Sequence, residues 1–288
     1  MIINKVEPQG FCNGVKYALR LVLKAINDPE VEKPIYLLGN LIHNHFVMDD
    51  LKKQGVIIID NNKTRLEMLD EIEEGTVVFS AHGVSPKVYE KAKNKGLNFI
   101  DATCPNVLII HNRIKTYLEQ NYSIVYIGSK KHPECEGVLD ISDNINLVTS
   151  ISDIDNLNIK NENIYVTNQT TLSKYELEEI YNKLQAKYPL ATIDNKICNA
   201  TTLRQEAIMN ITNSKLCIVV GDKNSSNSNK LVSVAKTVGL DSLLIDDYKD
   251  LLNVDLSNYD NVAITSGAST PSFVVDGVIK YLNNTYNK

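Results

Sequence analysis

Short apolar runs recur along the chain, each closing on a small or polar residue: "PIYLLGN", "TVVFSAHG", "SIVYIGS", "NIYVTNQTT", "LCIVVGD" and "NVAITSGAST". Unbroken β-branched runs of this length read as strands buried on both faces, delivering a polar loop to a strand end. Other stretches carry helical spacing and start signals. Ser85-Pro86 and Thr270-Pro271 each place a capping residue before a proline at the first helical position, and Ser173 with Glu176 has the spacing of a capping box. Strands alternating with helices predict a mostly parallel α/β sheet.

The pattern repeats when the chain is aligned on three cysteines. Cys12, Cys104 and Cys198 lie 92 and 94 residues apart, and each closes an extended segment and opens a helical one. A strand with a polar end follows each cysteine, marked by His43, His132 and Ser225 at 31, 28 and 27 residues. A second such strand is marked by His82, Thr170 and Ser269 at 70, 66 and 71 residues. Self-similarity at this period predicts three related α/β units, over 1–100, 101–194 and 195–288, rather than two domains. Packed around a threefold pseudo-axis, the units would bring the three thiolates and six polar loops together.

Composition narrows the partners. The 288 residues carry a net charge of −5 with no basic block, which argues against nucleic acid. No apolar run approaches the length of a membrane span, and the start, "MIINKVEPQGFC", lacks the features of a signal peptide, so a cytoplasmic location is expected. Five cysteines in such a chain are read as metal or catalytic candidates before disulfides, and the absence of any CxxC pair excludes a zinc ribbon or a ferredoxin-like run.

Three thiolates suit either a closed zinc site completed by a histidine or an iron–sulfur cluster short of one protein ligand. In a four-iron cubane the unligated iron is open to substrate as a Lewis acid. Cys217, inside "LCIVV", reads as core, and Cys135 has no counterpart in the other units. His43, His82 and His132 sit on strand-end loops, whereas His45 and His111 fall outside the pattern and read as surface or packing residues. With "NSSN", "QTT" and "GAST", the three loop histidines supply imidazoles, hydroxyls, amides and backbone N–H groups, donors that can cradle phosphates. A diphosphate is therefore the expected ligand.

These motifs together resemble the 4-hydroxy-3-methylbut-2-enyl diphosphate reductase family. The resemblance runs through "GFCNGV", "GNLIHN", "SAHGVS", "DATCP", "HPECEG", "TNQTTLS", "CNATTLRQEA", "KNSSNSN" and "SGASTP", nearly the whole chain. It implies three pseudo-symmetric α/β domains around a 4Fe-4S cluster, which can lose its open iron to give 3Fe-4S. It also implies reductive dehydroxylation to isopentenyl and dimethylallyl diphosphates, fed by an electron donor such as ferredoxin or flavodoxin. Carried over by motif, Cys12, Cys104 and Cys198 would hold the cluster. His43, His82, His132, Ser225, Ser226, Asn227 and Ser269 would bind the diphosphate. Thr170, with Thr171 beside it, would contact the substrate hydroxyl region, and Glu134 would donate the proton. Cys135 stands where the family usually has an apolar residue. A quinolinate synthase-type enzyme would share the architecture but bind dicarboxylates, and a non-catalytic iron–sulfur or zinc sensor would need neither a diphosphate pocket nor Glu134.

Overall fold

In the computed structural model, residues 1–59, 62–195 and 197–287 are described. Their strands form three four-stranded sheets in which every pair is parallel. In chain order, β1 (Ile2–Lys5) and α1 (Asn13–Asn27) precede β2 (Ile35–Leu38), α2 (His45–Lys53), β3 (Val56–Ile59), α3 (Arg65–Asp70), β4 (Thr76–Phe79), α4 (Pro86–Asn94) and β5 (Asn98–Asp101). The second run is α5 (Pro105–Glu119), β6 (Ser123–Ile127), α6 (Pro133–Leu139), β7 (Ile145–Val148), α7 (Asp153–Asn156), β8 (Ile164–Asn168), α8 (Lys174–Lys187) and β9 (Thr192–Ile193). The third is α9 (Asn199–Met209), β10 (Leu216–Val220), α10 (Ser226–Thr237), β11 (Asp241–Ile245), β12 (Asn261–Ser266) and α11 (Ser272–Tyr286).

The sheet orders are β3-β2-β4-β5, β7-β6-β8-β9 and, with the first strand of the chain included, β1-β12-β10-β11. The inner strands are the apolar runs. β4 and β10 are buried along their whole length, while the outer strands β3, β5 and β7 are only partly covered. Burial on two faces favours an unbroken run of apolar side chains, because each one removed from water contributes about 1.5–3 kcal/mol. In β6 the two faces part cleanly. Ile124 and Tyr126 pack with Ile110, Ile114 and Val138, while Val125 and Ile127 pack with Val148, Val166 and Leu177.

One rule governs the outer strands. The strand before each cysteine completes the preceding sheet: β5 pairs with β4, β9 with β8, and β1 with β12. The expected first unit starts at residue 1, yet β1 belongs to the third sheet. The chain falls into two compact units, one of Met1–Asn13, His43–Val47 and Cys198–Lys288, the other of Gly14–Ile42 and Met48–Ile197. The first holds the β1-β12-β10-β11 sheet and the second holds the other two.

Helix starts differ in detail from expectation. Ser85 caps α4 ahead of Pro86, but its hydroxyl donates to Asp140 Oδ2 at 2.8 Å instead of capping. Pro271, not Thr270, is the N-cap of α11, because the Thr270 hydroxyl donates to the Val220 carbonyl at 2.9 Å and so ties the loop to its sheet. Ser173 makes no side-chain cap bond. The capping box that forms is Thr64 with Glu67, at the start of α3.

Candidate active site

The polar loops follow the two inner strands of each sheet, where the strand order reverses direction. At such a switch point two neighbouring loops diverge and leave a crevice at the carboxyl ends of the strands.

In the larger unit the loops after β4, β6 and β8 meet. His132 is the N-cap of α6, its Nδ1 accepting from the Glu134 N–H at 3.2 Å. The His82 ring stands edge-on to it, with centroids 5.6 Å apart, and its Nδ1 lies 3.3 Å from Ser80 Oγ. Glu134 is only 2% exposed. Thr170 grips its carboxylate twice, the backbone N–H donating to Oε1 at 2.8 Å and the hydroxyl to Oε2 at 2.9 Å. Burial pushes the Glu134 carboxyl up to about 7, against the opposing pull of the Thr170 bonds and Tyr126. Thr171 Oγ1 accepts from Gln169 Nε2 at 2.7 Å, and Gln169 Oε1 accepts from the Ser129 N–H at 3.0 Å.

Cys104 belongs to the same unit as the N-cap of α5, and its N–H donates to the Ala81 carbonyl at 3.0 Å, beside His82. Its strand is pinned by Asp101, whose carboxylate accepts from the Tyr89 hydroxyl at 2.7 Å and the Thr103 N–H at 2.9 Å.

In the smaller unit Cys12 and Cys198 come together around Arg204. Cys198 is the N-cap of α9, the Cys12 N–H donates to the Ala268 carbonyl at 3.0 Å, and Arg204 Nη2 donates to the Gly10 carbonyl at 2.6 Å. Burial lowers the Arg204 pKa, and the nearby sulfurs of Cys12 and Cys198 act in the opposite direction. His43 lies in this unit too, its carbonyl accepting from Ser269 Oγ at 2.8 Å. Ser225 caps α10, its Oγ accepting from the Ser228 N–H at 3.3 Å, and Ser226 follows as the first helical residue. Asn227 is 6% exposed, and neither its amide nitrogen nor its oxygen has a partner. Ser228 Oγ is likewise buried without one. Gly221 and Gly267 leave the room for Ser228, since a Cβ on either would collide with that hydroxyl.

The predicted residues thus form two constellations: His82, His132, Glu134, Thr170 and Thr171 with Cys104, and His43, Ser225, Ser226, Asn227 and Ser269 with Cys12 and Cys198. Sequence reasoning missed Arg204, Ser228, Gln169 and Tyr126. Arg204 lies within the quoted motif "CNATTLRQEA", where a charged residue on a short, mostly uncharged helix is the available signal. Tyr126 offers none, because it reads as one more apolar strand position. His45 is exposed and His111 buried, as their lack of a repeat partner suggests.

The five cysteines divide in two. Cys12, Cys104 and Cys198 are partly exposed, whereas burial pushes Cys135 up to about 11 and Cys217 to about 12. Among the described residues of either unit, no group of three or more His, Cys, Asp or Glu side chains is arranged to hold a metal ion. The donor chemistry still fits an iron–sulfur cluster. Each of the three partly exposed cysteines stands at the start of a helix, and two of them flank a guanidinium.

Comparison with known proteins bears on what these constellations serve. A protein named 4-hydroxy-3-methylbut-2-enyl diphosphate reductase from Lysinibacillus sphaericus is 42% identical over 286 residues, covering 98% of this chain and 88% of the relative. One of the same name from Symbiobacterium thermophilum is 40% identical over 291 residues, covering 100% and 98%. Among solved structures, the E-1-hydroxy-2-methyl-but-2-enyl-4-diphosphate reductase from Plasmodium falciparum superposes with a TM-score of 0.90 at 35% identity, covering 99% of this chain and 89% of that one. The sequence model of the LytB protein family matches residues 3–283, from the first strand through the last helix, and the chain belongs to that family.

Proposed function

We propose that the chain reduces 4-hydroxy-3-methylbut-2-enyl diphosphate to isopentenyl and dimethylallyl diphosphates, the final step of the non-mevalonate isoprenoid precursor pathway. The observation that carries this reading is the buried Glu134 carboxyl held by Thr170 through both of its oxygens, in a chain whose relatives are named for that reductase.

Cys12, Cys104 and Cys198 are the residues that would hold a 4Fe-4S cluster. When bound, the cluster supplies electrons and an iron without a protein ligand that acts as a Lewis acid. The chain's own residues supply binding, orientation and a proton. His43, His82, His132, Ser225, Ser226, Asn227 and Ser269 bind the diphosphate. The α10 N-terminus adds its backbone N–H groups and dipole, and the unpartnered Asn227 amide gains a partner when the anion arrives. Thr170 and Thr171 face the substrate hydroxyl region.

Glu134 protonates the departing hydroxyl so that it leaves as water. A carboxyl that titrates near neutrality is poised for this, because both of its protonation states are populated at working pH. Thr170 fixes the carboxyl plane through two bonds and keeps one orientation available for transfer. A ferredoxin or flavodoxin is the proposed electron donor and the cytoplasm the proposed location. No helix among the described residues is long and apolar enough to cross a membrane.

The test is anaerobic purification with iron and sulfide counted per chain, then addition of the allylic diphosphate with a chemical reductant. Both isomeric diphosphate products are expected. A fully loaded protein that converts none of the substrate overturns the reading.

A further inference from the structure

Tyr126 sits in the middle of β6, an inner strand, with no measurable exposure. Its ring packs in the cluster of Ile110, Ile114, Cys135 and Val138. These immediate neighbours offer no oxygen or nitrogen acceptor, so a phenol there must find one elsewhere or lose the hydrogen bond it makes in water. The acceptor is Glu134, whose Oε1 lies 3.4 Å from the Tyr126 hydroxyl. The ring is held in place from the far side. A Cβ on Gly128 would lie 2.9 Å from Tyr126 Cε1, so the glycine leaves the space the ring occupies.

We infer that Tyr126 is a positioning residue for the proton on Glu134, its hydroxyl donating to the carboxylate from inside the core while Thr170 donates from the loop side. This deepens the proposed role of Glu134 and rests on it. The phenol cannot exchange its partner for water, because none reaches it, so its bond persists whether or not substrate is present. A hydrogen bond to the charged form lowers a carboxyl pKa, and the pull from Tyr126 has that sign. Burial alone would carry Glu134 further upward, to where it holds its proton too tightly to release it near neutral pH. The titratable groups around Glu134 are Tyr126 on β6, Cys135 on its own helix, His132 at the cap and, beyond that imidazole, His82 after β4. Among them, Tyr126 bonds the carboxylate through its side-chain hydroxyl.

The test titrates the Glu134 carboxyl in the cluster-loaded protein by infrared difference spectroscopy, with Glu134→Gln identifying its C=O band. Tyr126→Phe keeps the ring and its packing, and should raise the midpoint by about one pH unit, the size of one weak charge-assisted bond. Fluorotyrosine at position 126, a stronger donor, should lower it. A midpoint unmoved by both replacements overturns the inference. The alkaline limb of the turnover profile should shift with the carboxyl. A carboxyl that moves while the limb stays fixed supports the Tyr126 bond and rejects Glu134 as the catalytic acid.

Discussion

At Asn227 and Ser228 three side-chain polar atoms are buried with no partner, whereas both carboxylate oxygens of Glu134 are bonded. Both places are first helical turns just after an inner strand, at equivalent points of two parallel sheets. An unpartnered buried donor or acceptor costs roughly 1–3 kcal/mol. The Asn227 loop carries that cost in the ligand-free protein and is relieved when an anion supplies the missing partner. The Glu134 loop carries little of it and needs no rearrangement to hold a proton in a fixed place. Binding is prepared by leaving groups unsatisfied, and proton transfer by satisfying them in advance.

Removing the cysteines of either constellation gives the largest effect. Cys12→Ser, Cys104→Ser or Cys198→Ser should abolish stable iron binding and turnover, while Cys217→Ser, in the core of β10, should spare both. Iron analysis and spectroscopy decide this, and equal loss from Cys217→Ser would break the threefold assignment. Next, Glu134→Gln should cost about 10²–10⁴ in turnover with cluster content and substrate affinity retained. Wild-type turnover with an intact cluster would reduce Glu134 to a rim residue.

The third effect is thermodynamic. The folded Glu134 pKa, at about 7, lies above its ordinary value of 4.5, so the native state binds more protons than the unfolded chain between these values. This contribution is fully present below about pH 4.5 and is lost as pH rises through 7, on the order of 3 kcal/mol in all. Glu134→Gln has no such titration, so its stability relative to wild type should climb across that window in denaturant melts. A constant difference would show that the carboxyl is not perturbed.

The smallest effect sharpens the contrast most. Asn227→Ala should weaken diphosphate binding by about 1.5–3 kcal/mol in calorimetry without lowering ligand-free stability, because an unsatisfied amide is removed. Thr170→Val should lower ligand-free stability, because it strands Glu134. If both variants lose stability alike, the two loops do not differ in the way described.

Much of this was legible in the chain. Inner strands announce themselves because burial on two faces demands an unbroken apolar run, and the cysteines and loop histidines recur at a period that strand–helix units impose. Partner choice was not legible. Nothing local in "IINK" says that it pairs with "NVAITS" near the other end of the chain. Capping was misread for a related reason. Thr64 with Glu67 has the same spacing as Ser173 with Glu176, but a cap forms only where the chain enters the helix at the right angle. Tyr126 was hidden because a phenol in a strand looks like any aromatic until the carboxylate beneath it is known.

The pairing of β1 with β12 sets an order of assembly. Ile2 pairs with Asn261, so β1 is synthesised well before its partner. The two sheets of the larger unit draw on segments much nearer in sequence and can form while synthesis continues. Until β12 emerges, β1 is an unpaired strand with an open edge, and β12 without β1 exposes one of its own. Loop closure over such a span is slow compared with local pairing. Docking of β1 therefore waits for β12, and it brings the Cys12 segment to its place, where the Cys12 N–H donates to the Ala268 carbonyl.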